Sequence, residues 1–106
     1  MAITINIIYR GINVKEFAKE MLDSKIVDEI RNEEGNLKYE YYLPFNDDNT
    51  VLLIDSWVNQ EALDMHHKSE MMEKIIKLRE KYNLTMEVKK YIEIDNTTND
   101  LKYIIK

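Results

Sequence analysis

Strand-like alternation, helical spacing of apolar residues and a hairpin pattern together predict an α+β fold. Four segments have the β-branched or alternating character of strands, and two segments repeat apolar residues at helical spacing. Their order is strand, helix, strand, strand, helix, strand, which is typical of the ferredoxin-like fold. The sequence therefore predicts a four-stranded antiparallel sheet with two helices on one face. Residues 1–95 would form this domain, and residues 96–106 would follow as a tail.

The first strand and helix are indicated by a change in apolar spacing. Residues 3–9, ITINIIY, are mostly β-branched or aromatic, with Asn6 as a polar exception. Apolar residues then recur at helical spacing from Asn13 to about Arg31. Gly35 is a suitable end for this helix, because glycine adopts a left-handed conformation without steric cost.

The next two strands form a predicted hairpin. Leu37 to Phe45 alternates apolar and polar side chains, and Pro44 marks the end of this strand or a free edge. The segment NDDNT is rich in residues that favour turns. Val51 to Val58 is apolar on both faces until Asp55, which predicts a central strand with both faces covered.

A second helical region and a last strand complete the predicted domain. A helical segment begins at Gln60, and Ser69 is a suitable cap for a further helix. Leu84 to Ile94 alternates again and predicts the fourth strand. The tail, residues 96–106, is polar and then apolar, so it is a candidate extra edge strand.

Composition excludes several classes of protein. The 106 residues include 15 Lys and Arg against 20 Asp and Glu, and the net charge of -5 argues against a nucleic-acid partner. The chain has no cysteine, which excludes disulfides, thiolate metal sites and a cysteine nucleophile and suits a reducing cytoplasm. It has neither a secretion signal nor an apolar run of membrane-spanning length, so we expect a cytoplasmic protein without a membrane partner.

The sheet is expected to have apolar and aromatic side chains on both faces, although two helices can cover only one of them. A large uncovered apolar face usually marks a site of contact with another subunit or a ligand. The sequence therefore predicts a homodimer in which two sheets pack face to face.

Two segments, EEGNLKYEYY and LLIDSWVNQEALDMHHKSEMM, resemble the antibiotic biosynthesis monooxygenase domain, and in particular its quinol monooxygenase-like members. The family is a dimeric α/β barrel of ferredoxin-like subunits, and the resemblance covers residues 3–94. Its pattern has a Glu-x-Gly, an acid-x-Trp, an Ala-Leu, a histidine and a small residue. Here these are Glu33 and Gly35, Asp55 and Trp57, Ala62 and Leu63, His66, and Ser69.

The resemblance implies a cofactor-independent monooxygenase that oxidises a small quinol or polyphenolic aromatic molecule with dioxygen. The substrate would supply the electrons, so neither a metal nor another cofactor is expected. The protein would supply a dry cavity, a proton acceptor and donors for charged intermediates. Two alternatives are a dimer that binds or senses an aromatic ligand without turning it over, and a purely structural dimer whose interior is filled by side chains.

A related branch of the superfamily degrades haem, and its pattern is only partly present. That branch has an asparagine on the first strand, which Asn6 matches. It has a tryptophan at the position that His66 occupies here, and an axial histidine on the second helix. The helix around Ile75 and Ile76 has no histidine, so the sequence argues against haem degradation.

The candidate catalytic residues are His66 and Asn6. A histidine titrates near neutral pH and can accept a phenolic proton, whereas Asn6 would bind oxygen-derived charge or find a buried partner. His66 and His67 point about 100° apart on a helix, so at most one of them should face a cavity. The alternative is that either histidine merely caps a helix end or lies in water.

Five further residues are candidates for substrate binding. Each also has a structural interpretation, since Trp57 suits a core, the tyrosines suit cross-strand packing and the methionines suit flexible core packing. Glu33 and Glu34 are interpreted as solvated surface residues. The five substrate-binding candidates are Trp57, Tyr39, Tyr41, Met65 and Met72.

Overall fold

The computed structural model describes residues 1–105, which contain four strands and five helices. The strands are β1 (Ile3–Arg10), β2 (Asn36–Tyr42), β3 (Thr50–Trp57) and β4 (Thr85–Ile92). The helices are α1 (Val14–Asp23), α2 (Ile26–Arg31), α3 (Gln60–His67), α4 (Glu70–Lys81) and α5 (Thr98–Leu101).

The sheet is antiparallel in the order β2-β3-β1-β4, which confirms the predicted ferredoxin-like α+β fold. In β1, Ile5, Ile7 and Tyr9 are buried, while the alternate residues Asn6 and Ile8 are only half-buried. This period of two shows that one sheet face is packed against the helices. The structure thereby gives the sheet a covered face and a less covered face.

The core lies between the covered sheet face and one side of α1, α2 and α4. Phe17 of α1 packs against Tyr9, with ring centroids 4.9 Å apart, and both side chains are fully buried. Along α4, Met71, Ile75 and Leu78 are buried at spacings of three and four residues, as expected for one helix face. These contacts hold α4 against the sheet, and buried Leu63 packs α3 against the same core.

The first predicted helix is divided in two, so the prediction of one continuous helix to Arg31 is wrong. α1 ends at Asp23, and Lys25 has a φ of 68°. The left-handed residue changes the direction of the chain, and α2 then buries Ile26, Val27 and Ile30. The apolar spacing remained helical across the break, which is why the sequence pattern did not reveal it.

Strand β2 is shorter than the predicted Leu37 to Phe45. It ends at Tyr42, and both Leu43 and Phe45 are exposed. An irregularity between Asn36 and Lys38 displaces Leu37, which is 56% exposed, from the covered face. As a result, Tyr39 and Tyr41 face the core without the leucines that the alternation placed beside them.

The tail forms a short helix where the sequence suggested an edge strand. α5 begins with a capping box in which the Thr97 side chain accepts from the Asp100 amide and the Asp100 carboxylate accepts from the Thr97 amide. This local pairing favours a helical turn, although the apolar end of the tail had suggested a strand. Lys106 lies outside the described residues. Among residues 1–105, no helix is both long enough and apolar enough to cross a bilayer.

Candidate functional site

Two concave spaces meet at His66. The inner cavity, of about 220 Å³, lies between the covered sheet face and helices α3 and α4. The outer groove, of about 540 Å³, lies on the other side of His66, between α3 and the segment before β2. The inner cavity is lined by Ile5, Ile7, Tyr39, Asp55, Leu63, His66, His67, Met72, Ile75, Arg79, Met86, Val88 and Lys90. The outer groove is lined by Glu33, Glu34, Gly35, Val58, Asn59, Glu61, Ala62, Met65, His66, Lys68 and Ser69.

His66 is held in a defined orientation near the end of α3. Its side chain is 3% exposed, and its Nδ1 lies 2.9 and 3.2 Å from the two carboxylate oxygens of Glu33. Its ring stacks on Trp57 with a centroid distance of 4.8 Å. We assign the Nδ1–H tautomer, because a carboxylate accepts this hydrogen bond. Nε2 then carries the lone pair and is the nitrogen that can accept a proton.

Glu33 reaches His66 because the chain turns tightly between α2 and β2. Gly35 has a φ of +84°, and its carbonyl accepts a 2.8 Å hydrogen bond from the Val58 amide. A Cβ at Gly35 would lie 2.6 Å from the Cβ of Ala62 on α3. The Glu-x-Gly and Ala-Leu pairs of the sequence therefore have a structural reason, since the small residues allow the turn to approach α3.

Asp55 is a second buried titratable group in the inner cavity. It is 4% exposed, and the Trp57 indole Nε1–H donates a 2.7 Å hydrogen bond to its Oδ1. Burial raises the pKa of Asp55 to about 7, and the charge of Glu33 adds to this, while the Trp57 hydrogen bond and Arg79 oppose it. Asp55 can therefore exchange a proton near neutral pH.

The pKa of His66 moves in the opposite direction. Burial lowers it from its ordinary value, although the hydrogen bond and the charge of Glu33 raise it. Neutral His66 is therefore the favoured form at pH 7, as a proton acceptor requires. Opposite shifts of a base and an acid in one cavity are typical of sites that carry out proton transfer.

Arg79 brings a positive charge to the same cavity. Its Nε donates a 3.0 Å hydrogen bond to the Tyr9 hydroxyl, and its guanidinium carbon lies 5.5 Å from the centre of the Tyr9 ring. These contacts fix the position of the guanidinium at the cavity wall. Lys90 lines the wall from β4. The cavity can therefore stabilise a negative charge that develops inside it.

The predicted substrate-binding residues occupy different places. Tyr39 and Met72 line the inner cavity, whereas Met65 lines the outer groove and is 68% exposed. Trp57 is fully buried and contacts the site by stacking on His66. The Tyr41 hydroxyl is buried and has no hydrogen-bond partner within residues 1–105, and burial raises the pKa of Tyr41.

The two predicted catalytic residues are not brought together. Asn6 lies opposite Ile54 and Lys89 on the sheet face away from the helices, whereas its neighbours Ile5 and Ile7 line the inner cavity. The prediction that at most one histidine faces a cavity is wrong, because His66 and His67 both line the inner one. The cavity extends around the end of α3, so adjacent residues reach it from different directions.

Sequence reasoning missed three members of the site. Glu33 was interpreted as surface, because its contact with His66 spans 33 residues. Asp55 was identified only as the acid of the acid-x-Trp pair, and the sequence does not reveal how deeply it is buried. Arg79 had a recognisable pattern, since it continues the series Met72, Ile75 on one face of α4. A cation on an otherwise apolar helix face indicates a functional or structural partner.

No group of three or more His, Asp or Glu side chains within residues 1–105 has an arrangement that could hold a metal ion. The outer groove illustrates this, since its acidic residues Glu33, Glu34 and Glu61 do not form such a group. What these carboxylates bring to the groove is negative charge and hydrogen-bond acceptors.

Comparisons with known proteins agree with the fold. The chain is similar to a conserved protein from Methanosarcina mazei, with 22% identity, a TM-score of 0.74 and coverage of 86% of this chain and 91% of that chain. It is similar to a Deinococcus radiodurans protein provisionally assigned as an antibiotic biosynthesis monooxygenase, with 18% identity, a TM-score of 0.75 and coverage of 92% and 97%.

A third similar structure is SnoaB, a cofactor-independent oxygenase from Streptomyces nogalater. It shares 12% identity with this chain at a TM-score of 0.74, over 92% of this chain and 97% of that chain. No curated protein matches the chain in sequence. The family model for antibiotic biosynthesis monooxygenase matches residues 13–78, which include Glu33, Asp55, Trp57 and His66. The chain therefore belongs to the antibiotic biosynthesis monooxygenase family.

Proposed function

We propose that this protein is a cofactor-independent monooxygenase acting on a small quinol or related phenol, and that it works in the cytoplasm. The observation that carries the proposal is His66, a buried neutral histidine whose Nδ1 is hydrogen-bonded to Glu33 while its ring lines the inner cavity. This arrangement suits a base that removes a phenolic proton. Family membership and the likeness to SnoaB support the same class of reaction.

In the proposed reaction the substrate provides all of the electrons that reduce dioxygen. His66 Nε2 accepts a phenolic proton, and the phenolate passes one electron to dioxygen. The resulting phenoxyl radical and superoxide join through a new bond between a ring carbon and oxygen. The peroxide regains a proton, the ring C–H and O–O bonds break, and water leaves. One quinol and one dioxygen thus give one hydroxyquinone and one water.

Four residues would assist these steps. Arg79 stabilises the negative charge of phenolate and superoxide from the cavity wall. Asp55, whose pKa is near 7, can hold or return a proton during the breakage of the peroxide. Tyr39 and Met72 contribute aromatic and flexible surfaces against the ring. Asn6 has no part in this scheme, since it lies on the opposite sheet face.

The size of the inner cavity favours a small substrate. Benzene occupies an apolar cavity of about 150 Å³, and drug-sized ligands use pockets of about 300–1,000 Å³. At about 220 Å³ the inner cavity is intermediate. We therefore expect single-ring quinols to be preferred over fused polycyclic ones.

Oxygen consumption tests the proposed function. Metal-free wild-type protein, given a panel of reduced benzene and naphthalene diols, is expected to consume oxygen above the rate of autoxidation. The benzene diols should give the higher kcat/KM. A panel that gives no protein-dependent uptake would contradict the proposal. A diol that raises Tm and is returned unchanged would instead identify a ligand-binding protein.

We also propose that two copies associate through the sheet face away from the helices. That face has Ile8, Leu52 and Ile54 at its centre, half-buried, and Tyr42 and Tyr91 towards its edges, more exposed. Such a surface is typical of a subunit interface. Its central position in the sheet would allow the two sheets to pack at about 10 Å.

Sedimentation velocity tests this association. Wild-type protein at micromolar concentration is expected to have twice the mass of one chain. Ile54→Lys should shift the protein to a monomer, because a charge would be buried in the interface without a partner. Ile12→Lys is the matched control, since Ile12 is 85% exposed in the β1–α1 connection. A monomeric wild-type protein would contradict the proposal.

A further inference from the structure

The histidine of the site lies between two spaces of different character. The inner cavity lies between the sheet and two helices and opens beside β4, where Met86 and Val88 are 40% and 51% exposed. The outer groove is larger and lies on the other side of His66. His66 lines both. Glu33, which is bonded to its Nδ1, lines only the outer groove, and its side chain is 20% exposed. Across His66 the order is therefore inner cavity, imidazole, carboxylate and outer groove.

The order of these groups sets the route of a proton that is removed from a substrate in the cavity. The proton arrives at Nε2, while the Nδ1 proton already points at a carboxylate oxygen 2.9 Å away. An imidazole that gains a proton on one nitrogen readily releases the proton on the other. The carboxylate of Glu33 can receive that proton and reach water from the groove.

We propose that Glu33 both positions His66 and carries the substrate's proton to and from the outer groove. The phenolic O–H bond breaks as an Nε2–H bond forms, and the Nδ1–H bond breaks as a carboxyl O–H bond forms at Glu33. Glu33 then releases the proton to groove water. The peroxide step reverses the sequence, so that Nδ1 recovers a proton and Nε2 gives one up. No electrons move in this relay, which rests on the proposed function.

The groups around His66 and Glu33 favour transfer of the proton towards the outer groove. The Nδ1 hydrogen bond to Glu33 and the stacking on Trp57 hold the imidazole, so it is not free to rotate between cavity and groove. The Ser69 hydroxyl donates a 2.7 Å hydrogen bond to the His66 backbone carbonyl at the end of the same helix. Proton exchange by ring rotation is therefore replaced by transfer through the fixed ring. Charged and titratable groups also face His66 and Glu33 from both spaces. They are Glu34, Glu61 and Lys68 from the groove, and Tyr39, Asp55, His67, Arg79 and Lys90 from the cavity.

The variant Glu33→Gln separates positioning from proton transfer. A glutamine oxygen can accept the Nδ1–H hydrogen bond but cannot accept a proton at neutral pH. Glu34→Gln is the matched control, because it makes the same charge change in the same groove without a bond to His66. Glu33→Ala leaves space in an open groove that a small carboxylate can enter.

Two measurements on the full chain test the relay. In oxygen uptake with a benzene diol, Glu33→Gln should lower kcat at least about tenfold with little change in KM, while Glu34→Gln leaves both unchanged. Acetate should restore the activity of Glu33→Ala in proportion to its concentration. Equal kcat values for wild type and Glu33→Gln, or an absence of rescue by acetate, would overturn the relay.

The second measurement does not depend on turnover. The chain has two histidines, so ¹⁵N-labelled imidazole gives few signals, and His67→Gln identifies those of His66. Wild type and Glu34→Gln should exchange the His66 Nδ1 proton with water faster than Glu33→Gln, although all three keep the Nδ1–H tautomer. Equal exchange rates would overturn the proposal, even if wild type oxidises no diol. A slower exchange in Glu33→Gln with an inactive wild type would support the relay and contradict only the proposed oxidation.

Discussion

Asp55→Asn is expected to stabilise the protein at alkaline pH. The asparagine side chain would have the size of the native one and could still accept the Trp57 indole hydrogen bond. It would not carry the buried negative charge. We expect the free energy of unfolding to rise by up to about 4 kcal/mol at about pH 8.5, since the pKa of Asp55 rises from 3.8 to about 7 on folding.

The direction of this pH dependence of stability follows from the raised pKa of Asp55 in the folded chain. Below pH 3.8 Asp55 is protonated in both the folded and unfolded chain and contributes no pH dependence. Between pH 3.8 and about 7 the folded chain binds more protons, so wild-type stability falls as the pH rises. Above about pH 7 this loss of wild-type stability is complete. Asp55→Asn should therefore match wild type near pH 4 and diverge from it through this range.

His66 adds an opposite dependence that both proteins share. Because its pKa is lowered on folding, stability falls as the pH drops below 6.5, where the unfolded histidine becomes protonated. Urea unfolding at a fixed protein concentration, with the exposed Asp95→Asn as control, measures the difference between the variants. Equal stability of wild type and Asp55→Asn at about pH 8.5 would show that Asp55 is not held in an unfavourable charged state.

His66→Gln is expected to have the largest effect on turnover. General bases contribute about 10²- to 10⁴-fold, so kcat for diol oxidation should fall by a factor in that range. Glutamine fills much of the space of the imidazole but cannot accept the phenolic proton. KM should change little, because the ring of the substrate would still be bound by the cavity walls.

His67→Gln is the matched comparison for this experiment. His67 follows His66 directly and lines the same cavity, but the Glu33 carboxylate is hydrogen-bonded to His66 and not to His67. We expect His67→Gln to keep kcat within about threefold of wild type. A larger loss in His67→Gln than in His66→Gln would reverse the assignment of the base.

The fold was readily predicted because its information is local. Alternation in Leu37 to Phe45 and helical spacing after Ser69 each depend on side chains a few residues apart. The boundaries were less accurate where one residue's conformation decides them. Lys25 adopts a positive φ and divides the first helix, and Leu37 is displaced by an irregular register. Neither residue type favours such a conformation strongly enough to mark it in the sequence.

The site was predicted only in part because its contacts are distant in sequence. His66 stood out by its chemistry, but its partner Glu33 comes from a different turn and joins it only when α3 packs beside Gly35. Asn6 was selected as a polar residue in an apolar strand, and the alternation of β1 turns it away from His66. Helix packing thus decided the partner of His66, and the strand face that meets the helices decided the place of Asn6.

Buried charge connects the chemistry of this site to its stability. Asp55 lies in a position where its ionised form destabilises the fold, and its carboxylate is hydrogen-bonded to Trp57. A destabilised group in a cavity is typical of residues that serve function at the expense of stability. A stable but inactive Asp55→Asn would support this interpretation.

Oxygen isotope labelling tests the central proposal most directly. Wild-type protein that oxidises a benzene diol under ¹⁸O₂ is expected to place one ¹⁸O atom in the hydroxyquinone and the other in water, with no hydrogen peroxide released. His66→Gln should show neither product above the autoxidation rate. A quinone product without ¹⁸O, accompanied by hydrogen peroxide, would contradict the account, because the protein would then only promote electron transfer to oxygen.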